Sequence, residues 1–186
     1  MIGKYLAAVE HGARYFFNKD VNFLAATHTI LETDWGYMKA VWTGQGLWSL
    51  DFPVKDKPEK QEDGITAEAK LWSVQLRKEL NMYWRGFAVD FGVPLDWQGY
   101  TPFQKAVLLF TAGIPYGQTV SYGAVAKEIG RPKAVRAVGG ALHINRVPIV
   151  VPCHRVVGAN GSLTGFGGGL ELKQALLLLE SGAGEE

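Results

Sequence analysis

The chain has 186 residues, 19 Lys+Arg against 18 Asp+Glu, a net charge of +1, 47% hydrophobic residues and one cysteine. These values are ordinary for a globular protein and exclude a disordered tail, a collagenous repeat and a disulfide scaffold. No apolar run of about 18 residues marks a membrane span and no basic segment leads into a long apolar stretch, so a cytoplasmic location is expected.

The first half reads as α/β. Tyr5–Val9 and Arg14–Phe17 can pair around His11-Gly12. Tyr37–Phe52 places two apolar stretches around Thr43-Gly44-Gln45-Gly46, a hairpin with a loop of moderate length. Lys55–Asp63 is charged, contains Pro58 and reads as a surface loop. Thr66–Trp84 has helical spacing, with Ala69, Trp72, Leu76, Leu80 and Tyr83 on one face. Thr66 is its cap and Gly86 its stop. A short strand is expected at Phe87–Phe91. These elements make an α/β N-terminal domain over 1–92, followed by a Pro- and Gly-containing linker over 93–100.

The second domain, 101–186, reads as mainly α with a helix-turn-helix and a short active-site strand. Thr101 caps a helix running to about Ala112, with Pro102 in its first turn. Ser121 caps a second helix, Tyr122–Ile129, which Gly130 ends. Pro132 opens a third, running to about Ile144. Two short helices joined by a Gly-containing turn are a helix-turn-helix signal.

Charge separates along the chain. Residues 1–100 carry 11 basic and 13 acidic side chains, whereas 101–170 carry seven basic ones against Glu128 alone. Such a stretch is either a solvated face or the electrostatic footprint of a nucleic-acid partner. On the third helix, Val135, Val138, Gly139 and Leu142 fall toward the core, and Lys133, Arg136, Ala137, Gly140 and Ala141 fall on the other side. Glycine inside a helix costs ~1 kcal/mol relative to alanine. Gly139-Gly140 therefore implies close approach, either to another helix or to a large grooved surface. Lys133 and Arg136 beside the small residues favour DNA. Few long side chains are present to read base edges, so phosphate contacts and shape would dominate.

The segment VPIVVPCHRVV (147–157) places the apolar run Ile149–Val151 in a buried strand that Pro152 ends or bends. Cys153 beside His154 is a candidate nucleophile, because the thiolate attacks and a neighbouring base favours it. A free cysteine can equally be an inert buried hydrophobe. Adjacent residues of an extended segment point to opposite sides, so direct proton transfer needs a turn or a bridging water. Gly167-Gly168-Gly169 leads into a helix, Leu170–Glu180, ended by Ser181-Gly182. Glu180 faces the negative end of that helix dipole, unfavourable by ~0.3–1 kcal/mol. A cationic or N–H partner offsets this, and His154 is the candidate, giving a Cys–His–Glu relay. A frayed surface carboxylate is the alternative. His11, His28 and His143 have no ligand spacing to His154, and one cysteine cannot build a Cys-rich zinc site, so no metal is expected.

Four stretches together carry a resemblance: PYGQTVSYGAVA (115–126), RPKAVRAVGGAL (131–142), NRVPIVVPCHRVV (145–157) and GGGLELK…LLE (167–180). Over residues 101–182 the chain resembles the O6-alkylguanine-DNA alkyltransferase family. The first half resembles that family's N-terminal domain only loosely. The resemblance implies a monomer that binds the minor groove of double-stranded DNA through the helix-turn-helix and flips the alkylated guanine into a pocket. Cys153 would take the alkyl group from guanine O6, with O4-alkylthymine as a further substrate, in one turnover and without a cofactor. His154 would act as base through a water, held by Glu180. Tyr122 matches the donor to guanine N3, Arg136 the residue that fills the gap left by the base, and Asn145 the link between helix-turn-helix and active-site strand. Lys133, Ala137 and Gly140 would lie on the DNA, and Pro148, Phe166, Gly167 and Gly168 around the base. DNA-bound protein would sit with the nucleoid. Phe166 stands where many members have Tyr, and Gly167 where some have Ser; with glycine at 167–169 a more open pocket rim that admits larger O6 substituents is expected. Three rivals differ in what they predict. A helix-turn-helix regulator needs a polar recognition face. A non-catalytic lesion-binding relative carries Trp at the Cys position. A Cys–His hydrolase turns over repeatedly.

Overall fold

The structure, a computed structural model, describes residues 26–58 and 64–182. They fall into two compact units that divide between Gly99 and Tyr100. The pairing expected at Tyr5–Phe17 lies outside the described residues, as does the end of the Lys55–Asp63 loop.

In the first unit, β1 (Thr27–Thr33), β2 (Gly36–Thr43) and β3 (Gly46–Leu50) form an antiparallel sheet in the order β1-β2-β3. Thr43 pairs with Gly46, so the β2–β3 hairpin turns on two residues and is tighter than the moderate loop expected from the sequence. Helix α1 (Ala67–Trp84) starts at Thr66, whose side chain accepts from the Ala69 N–H. Its Ala69, Ser73, Leu76, Leu80 and Tyr83 are buried, while Trp72 is only half-buried and tilts against Trp42. The buried hydroxyls of Thr29 and Ser73 lie 2.9 Å apart and Trp42 Nε1 donates to Thr29, so the polar atoms between helix and sheet satisfy one another.

Two sequence expectations change here. Residues 87–91 form no strand: past Gly86 (φ +85°) the chain doubles back along α1, where the Gly92 N–H donates to Glu79 and Phe91 packs on Tyr83. The expected linker is partly structural. The Leu47 N–H donates to Pro94 and the Asp96 N–H to Leu47, while Thr43 Oγ1 donates to Asp96 at 2.6 Å. Residues 94–96 thus cover the free edge of β3, and Gly46 (φ +130°) admits the Pro94 carbonyl where a Cβ would collide with it.

In the second unit, helix α2 (Pro102–Ala112) begins in a Thr101–Gln104 capping box. Strand β4 (Val120–Ser121), helix α3 (Tyr122–Glu128), helix α4 (Val135–His143), strand β5 (Val156–Val157) and helix α5 (Leu170–Glu180) follow. Ser121 accepts from the Ala124 N–H, and Gly130 (φ +70°) turns the chain after α3. The buried apolar residues Val107, Leu108, Val125, Ala126, Val138, Ala141 and Leu142 form the core among α2, α3 and α4.

Helix α4 starts later than expected, at Val135, because Ala134 closes a turn onto Arg131. Its inward face is Val138, Ala141 and Leu142, spaced i, i+3, i+4; Ala141 is buried and Val135 is 40% exposed, the reverse of the sequence assignment. No strand forms at Ile149–Val151. Pro148 and Val151 bridge across a tight buried turn, with Ile149 in the left-handed region at φ +74°. A β-branched residue there is a genuine outlier, and only strong surroundings hold it. The short strand is β5, just after the cysteine, parallel to β4.

Candidate active site

Cys153, His154 and Arg155 form one turn of 3-10 helix. The segment therefore turns instead of running extended. The pairing of Val120 with Val156 and Ser121 with Val157 fixes this turn against the start of α3, which Tyr122 opens. Helix α5 closes the other side, with Leu172, Lys173, Ala175, Leu176 and Glu180 on its buried face.

Cys153 is 8% exposed. Asn145, just past α4, donates from Nδ2 to Cys153 Sγ at 3.2 Å and to the Val151 carbonyl at 2.9 Å. Its Oδ1 accepts from the Val147 N–H at 3.1 Å. One side chain thus holds both the strained turn and the sulfur. Burial raises the Cys153 pKa above its ordinary 9.0, opposed by the Asn145 hydrogen bond and the Lys173 charge. Burial also lowers the His154 pKa below 6.5, against the opposing pull of Glu180. At neutral pH the pair rests as a thiol and a neutral imidazole.

His154 is fully buried, and its Nε2 lies 2.7 Å from Glu180 Oε1. Glu180 is buried too, and is no frayed surface carboxylate. Arg155 donates from Nε to Oε2 at 2.9 Å and from Nη2 to Oε1 at 3.0 Å, and the Gly117 N–H donates to Oε2 at 3.2 Å. These donors offset the unfavourable helix terminus. Gly117 sits at φ +73°, and a Cβ there would stand 3.0 Å from the Glu180 carbonyl, so glycine suits this close approach.

Around this relay, Tyr122 is half-buried and its hydroxyl lies 3.3 Å from Thr164 Oγ1. Phe166 meets the His154 ring edge-on, centroids 6.3 Å apart. Pro148 and Gly168 are buried; Gly167 is exposed. Lys133, Arg136, Ala137 and Gly140 are all exposed on or beside α4. A Cβ at Gly140 would meet nothing within 4 Å, and one at Gly139 would make an ordinary 3.9 Å contact with Tyr122. Packing among the described residues therefore does not require either glycine. An open groove of about 430 Å³ runs past Gly130, Arg131, Pro132, Lys133 and Ala134.

Two residues of the site were missed in the sequence. Arg155 is one. Lys173 is the other: it is fully buried, and its Nζ donates to Val156 O at 2.7 Å and Thr164 O at 3.0 Å. The signal was present, because Lys173, Leu176 and Glu180 share a face at i, i+3, i+7, which puts two charges on the buried side of one helix. Among the described residues no group of three or more His, Cys, Asp or Glu could hold a metal ion, and no helix is long and apolar enough to cross a membrane.

Residues 102–182 match the family model described as 6-O-methylguanine DNA methyltransferase, DNA binding domain. A methylated-DNA–protein-cysteine methyltransferase of Methanosarcina acetivorans is 40% identical over 153 residues, covering 82% of this chain and 97% of the relative. The inducible enzyme of that name from Bacillus subtilis is 52% identical over 108 residues, 58% of this chain and 60% of the relative. Among solved structures, the Mycobacterium tuberculosis O6-methylguanine methyltransferase superposes with a TM-score of 0.66 at 36% identity, over 84% of this chain and 93% of that one. The M. tuberculosis OGT structure in complex with DNA gives 0.67 at 39% identity, over 83% and 92%. The mixed α/β fold is that of these structures. The chain belongs to the methylated-DNA–protein-cysteine methyltransferase family.

Proposed function

We propose that this chain repairs alkylated DNA by direct reversal, moving the alkyl group of O6-alkylguanine, and of O4-alkylthymine, onto Cys153. The observation that carries this reading is the buried array of Asn145, Cys153, His154 and Glu180 in a member of this family. The thiol proton passes to His154 through a water. The S–C bond forms as the C–O6 bond breaks, and the electron pair of that bond stays with the purine. Tyr122 gives its hydroxyl proton to guanine N3 as charge develops there, and the proton held by His154 returns through solvent to the tyrosinate. Once solvent moves the N3 proton to N1, atoms and charge balance as a thioether and an unmodified guanine. A thioether is a poor leaving group, so each molecule acts once and needs no dissociable cofactor.

The exposed face of α4 supports binding of duplex DNA by shape and phosphate contacts in the minor groove. Lys133 and Arg136 supply charge, Ala137 and Gly140 let the backbone approach, and Arg136 enters the space left by the flipped base. Pro148, Phe166, Gly167 and Gly168 surround the base. Residues 101–182 hold all of these groups and act as a monomer. A regulator's polar recognition face is absent from α4, a lesion-binding relative lacks the cysteine, and a Cys–His hydrolase has no use for the α4 face. Incubating the full chain with O6-benzylguanine tests the reading. The intact mass should rise by one benzyl group, mapped to Cys153. An unchanged mass, or repeated turnover on an ester, would refute it.

A further inference from the structure

His154 Nε2 and Glu180 Oε1 are 2.7 Å apart with both side chains out of solvent. With Glu180 ionised, such a pair has two arrangements. In one, His154 is an imidazolium with a proton on each nitrogen. In the other, the ring is neutral and Nε2–H donates to the carboxylate. Only the second leaves a lone pair on Nδ1 that can take a proton from the thiol.

Burial of the ring favours the second, and the surroundings of Glu180 act in the same direction. Arg155 spans both carboxylate oxygens, and the Gly117 N–H adds a donor to Oε2. The Arg155 guanidinium is itself anchored, donating from Nη1 to the Ile114 carbonyl and lying 5.8 Å from the Tyr116 ring centre. A guanidinium presents its positive charge as a planar fork that matches a carboxylate. Glu180 therefore already has its counter-ion, and an imidazolium would add a second positive charge in the same dry pocket. We propose that Arg155 is a positioning residue for the alkyl transfer: it balances Glu180, so that His154 stays neutral with its proton on Nε2 and its Nδ1 lone pair available to Cys153. This rests on the reading of His154 as the proton acceptor.

The other groups around His154 agree. Lys173 from α5 and Arg155 beside it both oppose a charge on the ring, as burial does more strongly; Glu180 alone favours one. Cys153 is a buried thiol, and the Tyr116 pKa is raised, by burial first and by Glu180 next. The buried residues of α2 are Val107, Leu108 and Thr111, none of them charged.

Two measurements test this. Nitrogen-15 NMR of the unmodified full chain at neutral pH should show His154 as a neutral ring with Nε2 protonated and Nδ1 bare. An imidazolium, or a proton on Nδ1, overturns the proposal without any variant. The second is the pH profile of Cys153 alkylation by O6-benzylguanine, read by intact mass, in Arg155→Met and Arg155→Lys. Without the guanidinium, Glu180 stabilises the imidazolium and the acid limb moves to higher pH. The expected result for Arg155→Met is a larger loss at about pH 6 than at about pH 8.5, up to about tenfold for a shift of one pKa unit, with Arg155→Lys in between. A loss equal at every pH in a folded variant would make Arg155 a structural brace only and overturn the proposal. If Arg155→Met does not fold, Arg155→Lys and the wild-type spectrum still decide. Wild-type protein left unmodified by O6-benzylguanine would instead count against alkyl transfer itself, while the spectrum of His154 in wild type and in Arg155→Lys continues to judge the proposal.

Discussion

The Asn145 amide donates to Cys153 Sγ and Val151 O and accepts from the Val147 N–H, so it bears on both the nucleophile and the turn behind it. That turn includes Ile149 at φ +74°, a conformation costing on the order of 1–3 kcal/mol. Asn145→Ala should therefore destabilise the protein by roughly 1–3 kcal/mol through orphaned buried groups, and slow transfer as well. Urea denaturation alongside the benzylation rate checks this; unchanged stability would show that the turn holds itself. At Gly167 the expectation concerns substrate size. Gly167→Ser adds a side chain to an exposed rim position, so benzyl transfer should slow relative to methyl transfer. Equal slowing of both groups, or none, would mean that this rim does not select size. Cys153, His154 and Glu180 were legible in the sequence because each is chemically conspicuous where it stands. Arg155 and Lys173 were not, since a basic residue in sequence looks like surface until its helical or turn position shows that it points inward.

At the scale of elements, α4 and the turn leading into it carry the sharpest expectation. Lys133→Ala should lower DNA affinity at all sequences and reduce the slope of log affinity against log salt by about 1 if Lys133 meets one phosphate. Arg136→Ala should weaken duplex binding or base flipping while leaving reaction with free O6-benzylguanine unchanged. A variant that loses both activities together would place Arg136 in the fold rather than on DNA. Helices were the legible part of this chain. Thr66, Thr101 and Ser121 each cap the helix the sequence assigns to them, because a cap is a local bond between a side chain and an N–H three residues on. The strands were less so. Ile149–Val151 has the composition of a buried strand, yet Asn145 and the flanking prolines turn it back, and a left-handed isoleucine leaves no mark in a hydrophobicity pattern. Residues 87–91 alternate suitably but meet α1 where a strand would need a partner edge.

Over the whole molecule, the near-zero net charge masks a basic stretch balanced by an acidic first half. The buried Cys153 and His154 contribute to the pH range of stability. His154 is harder to protonate folded than unfolded, so the unfolded chain binds more protons below about pH 6.5, and stability falls as pH drops from there toward the lowered folded value. Cys153 is harder to ionise folded than unfolded, so stability falls as pH rises from about 9 toward its raised folded value. Thermal melts across pH should show a plateau between these limits. Cys153→Ala should remove the Cys153 contribution to the basic loss and all alkyl transfer, while retaining DNA binding. A basic limb identical in Cys153→Ala would assign that loss to other groups.

The position of Glu180 at the last residue of α5 has a consequence for how the protein is made. His154 is joined to the growing chain 26 residues before the carboxylate that orients it. A nascent chain therefore carries Cys153 and His154 before α5 can bring Glu180 to them. The array of Asn145, Cys153, His154 and Glu180 is in this way complete only once α5 has docked, so its assembly is tied to that helix and not to synthesis of the cysteine.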